Sequence, residues 1–313
     1  MKIIFMGTPE FAVASLSILL KHNYNIVAVV TVPDKPAGRG QVMQQSAVKK
    51  YALEQGLTVL QPEKLKEDAF IEELKKLRAD LQIVVAFRML PEVVWNMPPL
   101  GTYNLHGSLL PKYRGAAPIN WAIINGEAES GVTTFKLKHE IDTGNMLFQA
   151  KTPIGEDTTA GELHNTLMES GAQLILKTVK AIESNDYELL PQDDTQSIHA
   201  PKLFKETCRV NWQLQATHIQ NLIRGLSPYP AAYTEFIDKK GSILSMKIFK
   251  TEKEISTHAL AFGTVISDHK HFLKVACNGG FISITELQLA GKKRMLVDEF
   301  LRGFKVEADL LFL

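Results

Sequence analysis

Apolar positions follow two regimes along this chain. Up to about residue 184, short unbroken apolar runs alternate with stretches whose apolar residues recur every three or four positions. The runs at 2–6, 25–32, 57–60, 81–87 and 102–106 read as strands, and uninterrupted apolar strands suit a parallel sheet covered on both faces. Between them, Phe11, Ala14, Ser15, Ile18 and Leu19 recur at helical spacing behind Thr8, a candidate N-cap, and Pro9. A charged helical stretch spans 68–78. Thr159 and Glu162 form a capping-box pattern ahead of Leu163, Leu167, Leu174, Ile175 and Ile182, which predicts a helix to about Ser184. Strands alternating with helices imply an α/β fold with an open, doubly wound, Rossmann-like sheet.

Residues 185–208 lose this periodicity and read as a connector. After Arg209 a helix is predicted at 214–224, ending at Gly225 before the Pro228-Tyr229-Pro230 turn. Short strands follow at 233–237, 242–250, 263–267, 272–276 and 281–289, separated by turn residues such as Asn278-Gly279-Gly280. That spacing predicts a small β-barrel or sandwich. The expected organisation is a sheet domain over 1–184, a connector over 185–208 and a barrel over 209–313.

The net charge of +1 conceals an asymmetry. From Arg209 onward there are 14 Lys/Arg against 10 Asp/Glu, and before it 21 against 24. The sign suits a polyanion contacted by the C-terminal part, and equally an ordinary charged surface. No apolar run reaches the ~18 residues of a membrane span, and no signal-peptide pattern opens the chain, so a cytoplasmic protein is expected. Cys208 and Cys277 have no metal-ligand spacing and read as packed small residues.

Four stretches bear on chemistry. Gly7-Thr8-Pro9-Glu10-Phe11-Ala12 lacks two of the three glycines of a dinucleotide fingerprint, which argues against a pyrophosphate seated there. Asn104 and His106 share one face of a strand, at the end where open α/β sheets bind ligands. An amide beside an imidazole can polarise a carbonyl and stabilise an oxyanion; a plain polar strand end is the competing interpretation. Asp142, before Thr143-Gly144, is either a turn residue or, if the fold brings it to His106, a group that orients the imidazole or takes a proton. The Pro/Gly-rich loop 33–40 carries Lys35 and Arg39, which can meet phosphates. His269-Lys270-His271 has too few ligands for a metal site.

Beyond these residue readings, the sequence resembles the methionyl-tRNA formyltransferase family along nearly its whole length. The resemblance is carried by the opening Ile4-Phe5-Met6-Gly7-Thr8-Pro9-Glu10-Phe11-Ala12 and the Pro33–Gly40 loop. It continues through Asn104 to Pro111, Tyr113-Arg114-Gly115-Ala116-Ala117-Pro118-Ile119, Ile141-Asp142-Thr143-Gly144 and His199-Ala200-Pro201-Lys202-Leu203. It implies a formyltransferase domain followed by an oligonucleotide-binding (OB)-like barrel that holds tRNA. It implies Asn104, His106 and Asp142 as catalytic residues, Ser108, Leu109, Leu110 and Pro111 as the folate-binding segment, and Arg39 as a tRNA contact. The implied formyl donor is 10-formyltetrahydrofolate, the acceptor methionyl initiator tRNA, with no metal and a monomeric enzyme. A formyltransferase acting on a purine precursor or an amino sugar nucleotide is the nearest alternative. Two departures stand out: Ala86-Phe87-Arg88-Met89-Leu90-Pro91 is one residue shorter than the family's pattern and lacks its glycine, and residues 41–45 are less basic than usual.

Overall fold

The computed structural model describes residues 1–37, 42–307 and 309–313. The chain divides into two compact units. One comprises Met1–Gly115, Ser130–Thr152 and His164–His199, the other Ala116–Glu129, Pro153–Leu163 and Ala200–Leu313.

The first unit is built on a seven-stranded sheet in the order Met146–Pro153, Glu129–Lys136, Thr102–His106, Leu81–Val85, Lys2–Gly7, Asn25–Val30, Val59–Leu60. The last five strands of that order are parallel, with Phe5 opposite Ile83 and Val29. The chain starts in the middle, moves outward to Val59–Leu60, then returns to the other side of Lys2–Gly7. Strand order therefore reverses between Lys2–Gly7 and Leu81–Val85, and the carboxyl ends there form the crevice where such sheets place ligands. The β-branched and aliphatic residues of these strands are almost fully buried, with Ile3, Ile4, Phe5, Ala28, Val29 and Ile83 at 0% exposure. One face packs Ile4, Met6, Val30 and Val84 against Phe70, Leu74 and Val94.

Several elements differ from the expectation. Glu129–Lys136 joins the sheet antiparallel to Thr102–His106, so the sheet is mixed. The strand foreseen at 57–60 is reduced to Val59–Leu60. Thr8 is not the cap of the first helix, Glu10–Lys21. Pro9 occupies that position without a side-chain cap, and the Thr8 hydroxyl is buried with no hydrogen-bond partner among the described residues. The capping box at the start of Ala160–Ser184 forms as read: Thr159 N donates to Glu162 Oε2 at 2.8 Å and Glu162 N to Thr159 Oγ1 at 3.3 Å. Within the expected loop, Lys35–Ala37 pairs antiparallel with Val42–Gln44, and residues 38–41 lie outside the described residues.

The second unit is a curled antiparallel sheet in the order Ala232–Ile237, Ile243–Ile255, Gly280–Leu289, Leu273–Cys277, Val265–Ser267. Its two edge strands are linked through the last residues: Phe312 bridges Phe236, and Leu311 bridges Thr264 beside the opposite edge. The helix Ala216–Leu226 lays Ile219, Ile223 and Leu226 into the core with Trp212, Phe236 and Phe312. The helix Pro118–Ile124 belongs to this unit, and a Cβ on Gly225 would lie 2.6 Å from Ile124 Cγ1, so the two helices meet backbone to side chain. Cys208 and Cys277 are packed in this core, and burial pushes the Cys277 thiol up to about 11.

Candidate active site

Thr102–His106 alternates cleanly. Tyr103 and Leu105 are buried on one side, while Asn104 and His106 share the other, flanked in register by Val84, Phe135 and Thr133. Asn104 is half-buried and its amide has no hydrogen-bond partner among the described residues. His106 is buried, and its Nε2 lies 2.8 Å from the Tyr113 carbonyl. A carbonyl only accepts, so Nε2 carries the hydrogen and Nδ1 is the nitrogen left for chemistry.

Asp142 comes to that nitrogen, with Oδ2 3.8 Å from His106 Nδ1. This is ion-pair distance, beyond a direct hydrogen bond. The approach requires a detour. Antiparallel pairing sets Lys136 beside Tyr103, three residues below His106, so the following loop must return about 10 Å along the sheet. It does so with Asp142 at φ +54°, in the left-handed region. Gly144 makes the fold-back sterically possible: a Cβ there would lie 1.8 Å from the Lys136 carbonyl oxygen. The Asp142 carboxylate accepts a hydrogen bond at Oδ2 from Gly115 N at 3.0 Å, and Oδ1 has no partner among the described residues.

The segment after His106 is fixed from inside. The Ser108 hydroxyl donates to Lys112 O at 2.6 Å, so it shapes the turn and does not face outward. Thr133 Oγ1 donates to Ser108 O at 2.7 Å and accepts from Leu110 N at 3.1 Å. Gln149 Nε2 donates both to Leu110 O at 2.8 Å and to Thr133 Oγ1 at 3.0 Å. Leu109 lies over Gly131, where a Cβ would meet its Cδ2 at 2.5 Å. Leu110 is buried, and Leu109 and Pro111 are half-buried. Sequence reading did not single out Thr133 and Gln149; a threonine or glutamine on a strand is unremarkable until its partner loop is known. The Tyr113 carbonyl and Gly115 amide are backbone groups with no residue-type signature.

The departing loop has its own anchor. Ala86 takes φ +48°, and the Arg88 guanidinium donates to Glu63 O at 2.9 Å and to Pro62 O at 2.8 Å. Burial of that guanidinium lowers its pKa, and the two carbonyls and the Phe87 ring, 5.4 Å away, face its charge.

At the base of the hairpin arm, Asp34 accepts from Lys49 Nζ at 2.6 Å and Gln61 Nε2 at 2.8 Å. The Lys49 ammonium, then Gln61, hold its carboxyl below the ordinary range. Arg39 lies outside the described residues. In the 268–272 turn, Asp268 Oδ1 accepts from the backbone amides of Lys270, His271 and Phe272. Among the described residues no cluster of three or more His, Cys, Asp or Glu is placed to hold a metal ion.

Residues 1–179 match the family model described as formyl transferase, and residues 202–305 match that of the formyl transferase C-terminal domain. Among curated proteins, the chain is 54% identical over 310 residues to a methionyl-tRNA formyltransferase of Bacteroides thetaiotaomicron, covering 98% of this chain and 96% of the other. It is 55% identical over 311 residues to one from Phocaeicola vulgatus, covering 97% and 96%. Among solved structures, a sugar 3N-formyl transferase, WlaRD, crystallised with dTDP and 5-N-formyl-THF, superposes with a TM-score of 0.67 over 94% of this chain and 99% of that one. At 23% identity this speaks to the fold alone.

Proposed function

From the premise that this chain belongs to the methionyl-tRNA formyltransferase family, we propose how the end of its Thr102–His106 strand performs that family's reaction. The enzyme transfers a formyl group from 10-formyltetrahydrofolate to the amino group of methionine esterified to initiator tRNA, yielding the formylated tRNA used to start translation. The observation that carries the residue assignment is the convergence of Asp142 Oδ2 on His106 Nδ1, beside an Asn104 amide without a hydrogen-bond partner among the described residues.

The neutral methionine amine attacks the formyl carbon, and the carbonyl oxygen becomes a tetrahedral oxyanion. Asn104 donates an N–H to it. Because Nε2–H is committed to Tyr113, His106 donates from Nδ1 and must be protonated to do so. Asp142 Oδ2 lies on that side and stabilises the imidazolium. Its Oδ1 accepts the amine proton, through ordered water, and passes it to the folate nitrogen as the carbon–nitrogen bond to the folate breaks. One N–H is lost from the amine and one gained by the folate, so protons balance and no covalent enzyme intermediate is needed.

Residues 108–111, braced by Thr133 and Gln149, form the folate-side wall in this reading. Arg39 contacts the tRNA acceptor end, and residues 209–313 hold the tRNA electrostatically. The enzyme acts as a monomer in the cytoplasm. No helix among the described residues is long and apolar enough to cross a membrane.

An assay with labelled formyl donor and three acceptors tests this: methionyl initiator tRNA, methionyl elongator tRNA and small amines. Transfer to the initiator species well above the others is expected. Transfer to small amines alone refutes the tRNA acceptor.

A further inference from the structure

In the exposed connector stretch after the helix Ala160–Ser184, Gln192 is half-buried between exposed neighbours. Its amide uses its full hydrogen-bonding capacity. Nε2 donates to Asp142 O at 2.9 Å and to Gly144 O at 2.8 Å, while Oε1 accepts from Arg114 Nε at 2.9 Å and Nη2 at 2.6 Å. The orientation of the amide is fixed by chemistry. Carbonyls can only accept and a guanidinium can only donate, so a flipped amide would lose all four bonds. Arg114 is held in turn by Asp194 Oδ1 at 2.7 Å, and its backbone N donates to Ile198 O. The next residue, Gly115, supplies the N–H that binds the Asp142 carboxylate. The connector is tied to the same loop by reciprocal bonds between Leu190 and Met146, each 2.8 Å.

We propose that Gln192, gripped by Arg114, is a positioning residue that holds Asp142 within reach of His106. This rests on the reading of Asp142 as catalytic. Asp142 needs such help because its loop folds back along the sheet with φ +54°. A left-handed aspartate relaxes unless neighbouring groups over-determine it. Gln192 binds the backbone on both sides of Thr143, so it fixes where the carboxylate starts from. The Gly115 amide fixes where it ends. The stretch 190–198 thereby acts on the chemistry without touching substrate.

Gln192→Glu is the sharp probe. It is isosteric and keeps the Arg114 contact, yet it sets a carboxylate against two carbonyls. Turnover is expected to fall between about tenfold and about 10²-fold, the scale of a misplacement near 1 Å. KM for each substrate should stay within about twofold, since no binding contact is removed. In an Asp142→Asn background, Gln192→Glu should cost nothing further, because its effect runs through Asp142. A purely structural role would multiply the two losses, and that result overturns the proposal. So does near-wild-type turnover of Gln192→Glu. If its melting temperature falls below the assay range, Arg114→Lys is put through the same cycle. Asp142→Asn alone decides the reading beneath: wild-type turnover there removes Asp142 from the chemistry and overturns both, whereas a multiplied loss overturns the positioning role only.

Discussion

Replacing Thr133 by valine keeps the shape of a fully buried side chain and removes one oxygen that serves three partners. Gln149 retains its bond to Leu110 O, so the groups orphaned are the Ser108 carbonyl and the Leu110 amide. Each buried orphan costs about 1–3 kcal/mol. Two cost roughly 2–6 kcal/mol, and partial relaxation of the turn brings the net to the lower half of that range. At about 2–4 °C per kcal/mol for a unit of this size, the melting temperature should drop on the order of 10 °C. Because the orphans lie in the 108–111 segment, KM for 10-formyltetrahydrofolate should rise more than turnover falls. KM for charged tRNA should barely change. Thr133→Ser, which restores the oxygen, should recover most of both losses. Urea unfolding with steady-state kinetics on the two variants reads this directly. A valine variant within about 0.5 kcal/mol of wild type, or a serine variant no better than valine, refutes the view that this hydroxyl braces the folate wall.

Other outcomes follow from the same geometry. Asn104→Ala, His106→Ala and Asp142→Ala should each lose on the order of 10²–10³ in turnover while remaining folded, and near-normal turnover in one removes that residue from the centre. Gly144→Ala adds a methyl that would stand 1.8 Å from Lys136 O, so the Asp142 loop must shift; kcat should fall with a circular dichroism spectrum like wild type, and unchanged kcat contradicts the tight fold-back. Arg39→Ala should raise KM for charged tRNA and flatten its salt dependence, whereas a change confined to folate binding refutes the arm's role. Backbone N–H bonds, first that of His271, hold Asp268 down to about 2. A folded-state pKa below the ordinary value contributes stability above about pH 4 that is lost as pH falls toward 2. Asp268→Ala should flatten the urea midpoint against pH across that window, and an unchanged slope refutes it.

What was legible in the sequence follows the reach of each interaction. The strand Thr102–His106, the capping box of Thr159 and Glu162 and the five strands expected in the second unit depend on local periodicity or on groups three residues apart, and each appears close to where the pattern put it, though the one expected at 242–250 runs on to Ile255 and Met295–Leu296 was not expected. Thr8 failed as a cap because Pro9 sets the helix start, a choice made by backbone geometry that residue preference does not resolve. The strand Glu129–Lys136, and with it the antiparallel entry, was not foreseen because only Val132 and Phe135 in it are large apolar residues, too few to mark a buried strand. The candidate site divides the same way. Asn104 and His106 share a face by alternation, but the approach of Asp142 depends on a steric allowance at Gly144 and on the Gly115 amide, and the set of the His106 ring on the Tyr113 carbonyl. Resemblance to a family could unite the three residues without supplying the mechanism of their union. That mechanism lies in Gln192 and Arg114, 78 residues apart, whose pairing no periodicity encodes. The tautomer is a further case. The Tyr113 carbonyl fixes the hydrogen on Nε2, so that in the proposed mechanism His106 donates to the oxyanion solely when protonated. In the proposed mechanism the oxyanion donor and the carboxylate that stabilises it are thus a single coupled device. Asp142→Asn should therefore weaken oxyanion stabilisation as well as proton transfer, making its loss no smaller than that of His106→Ala.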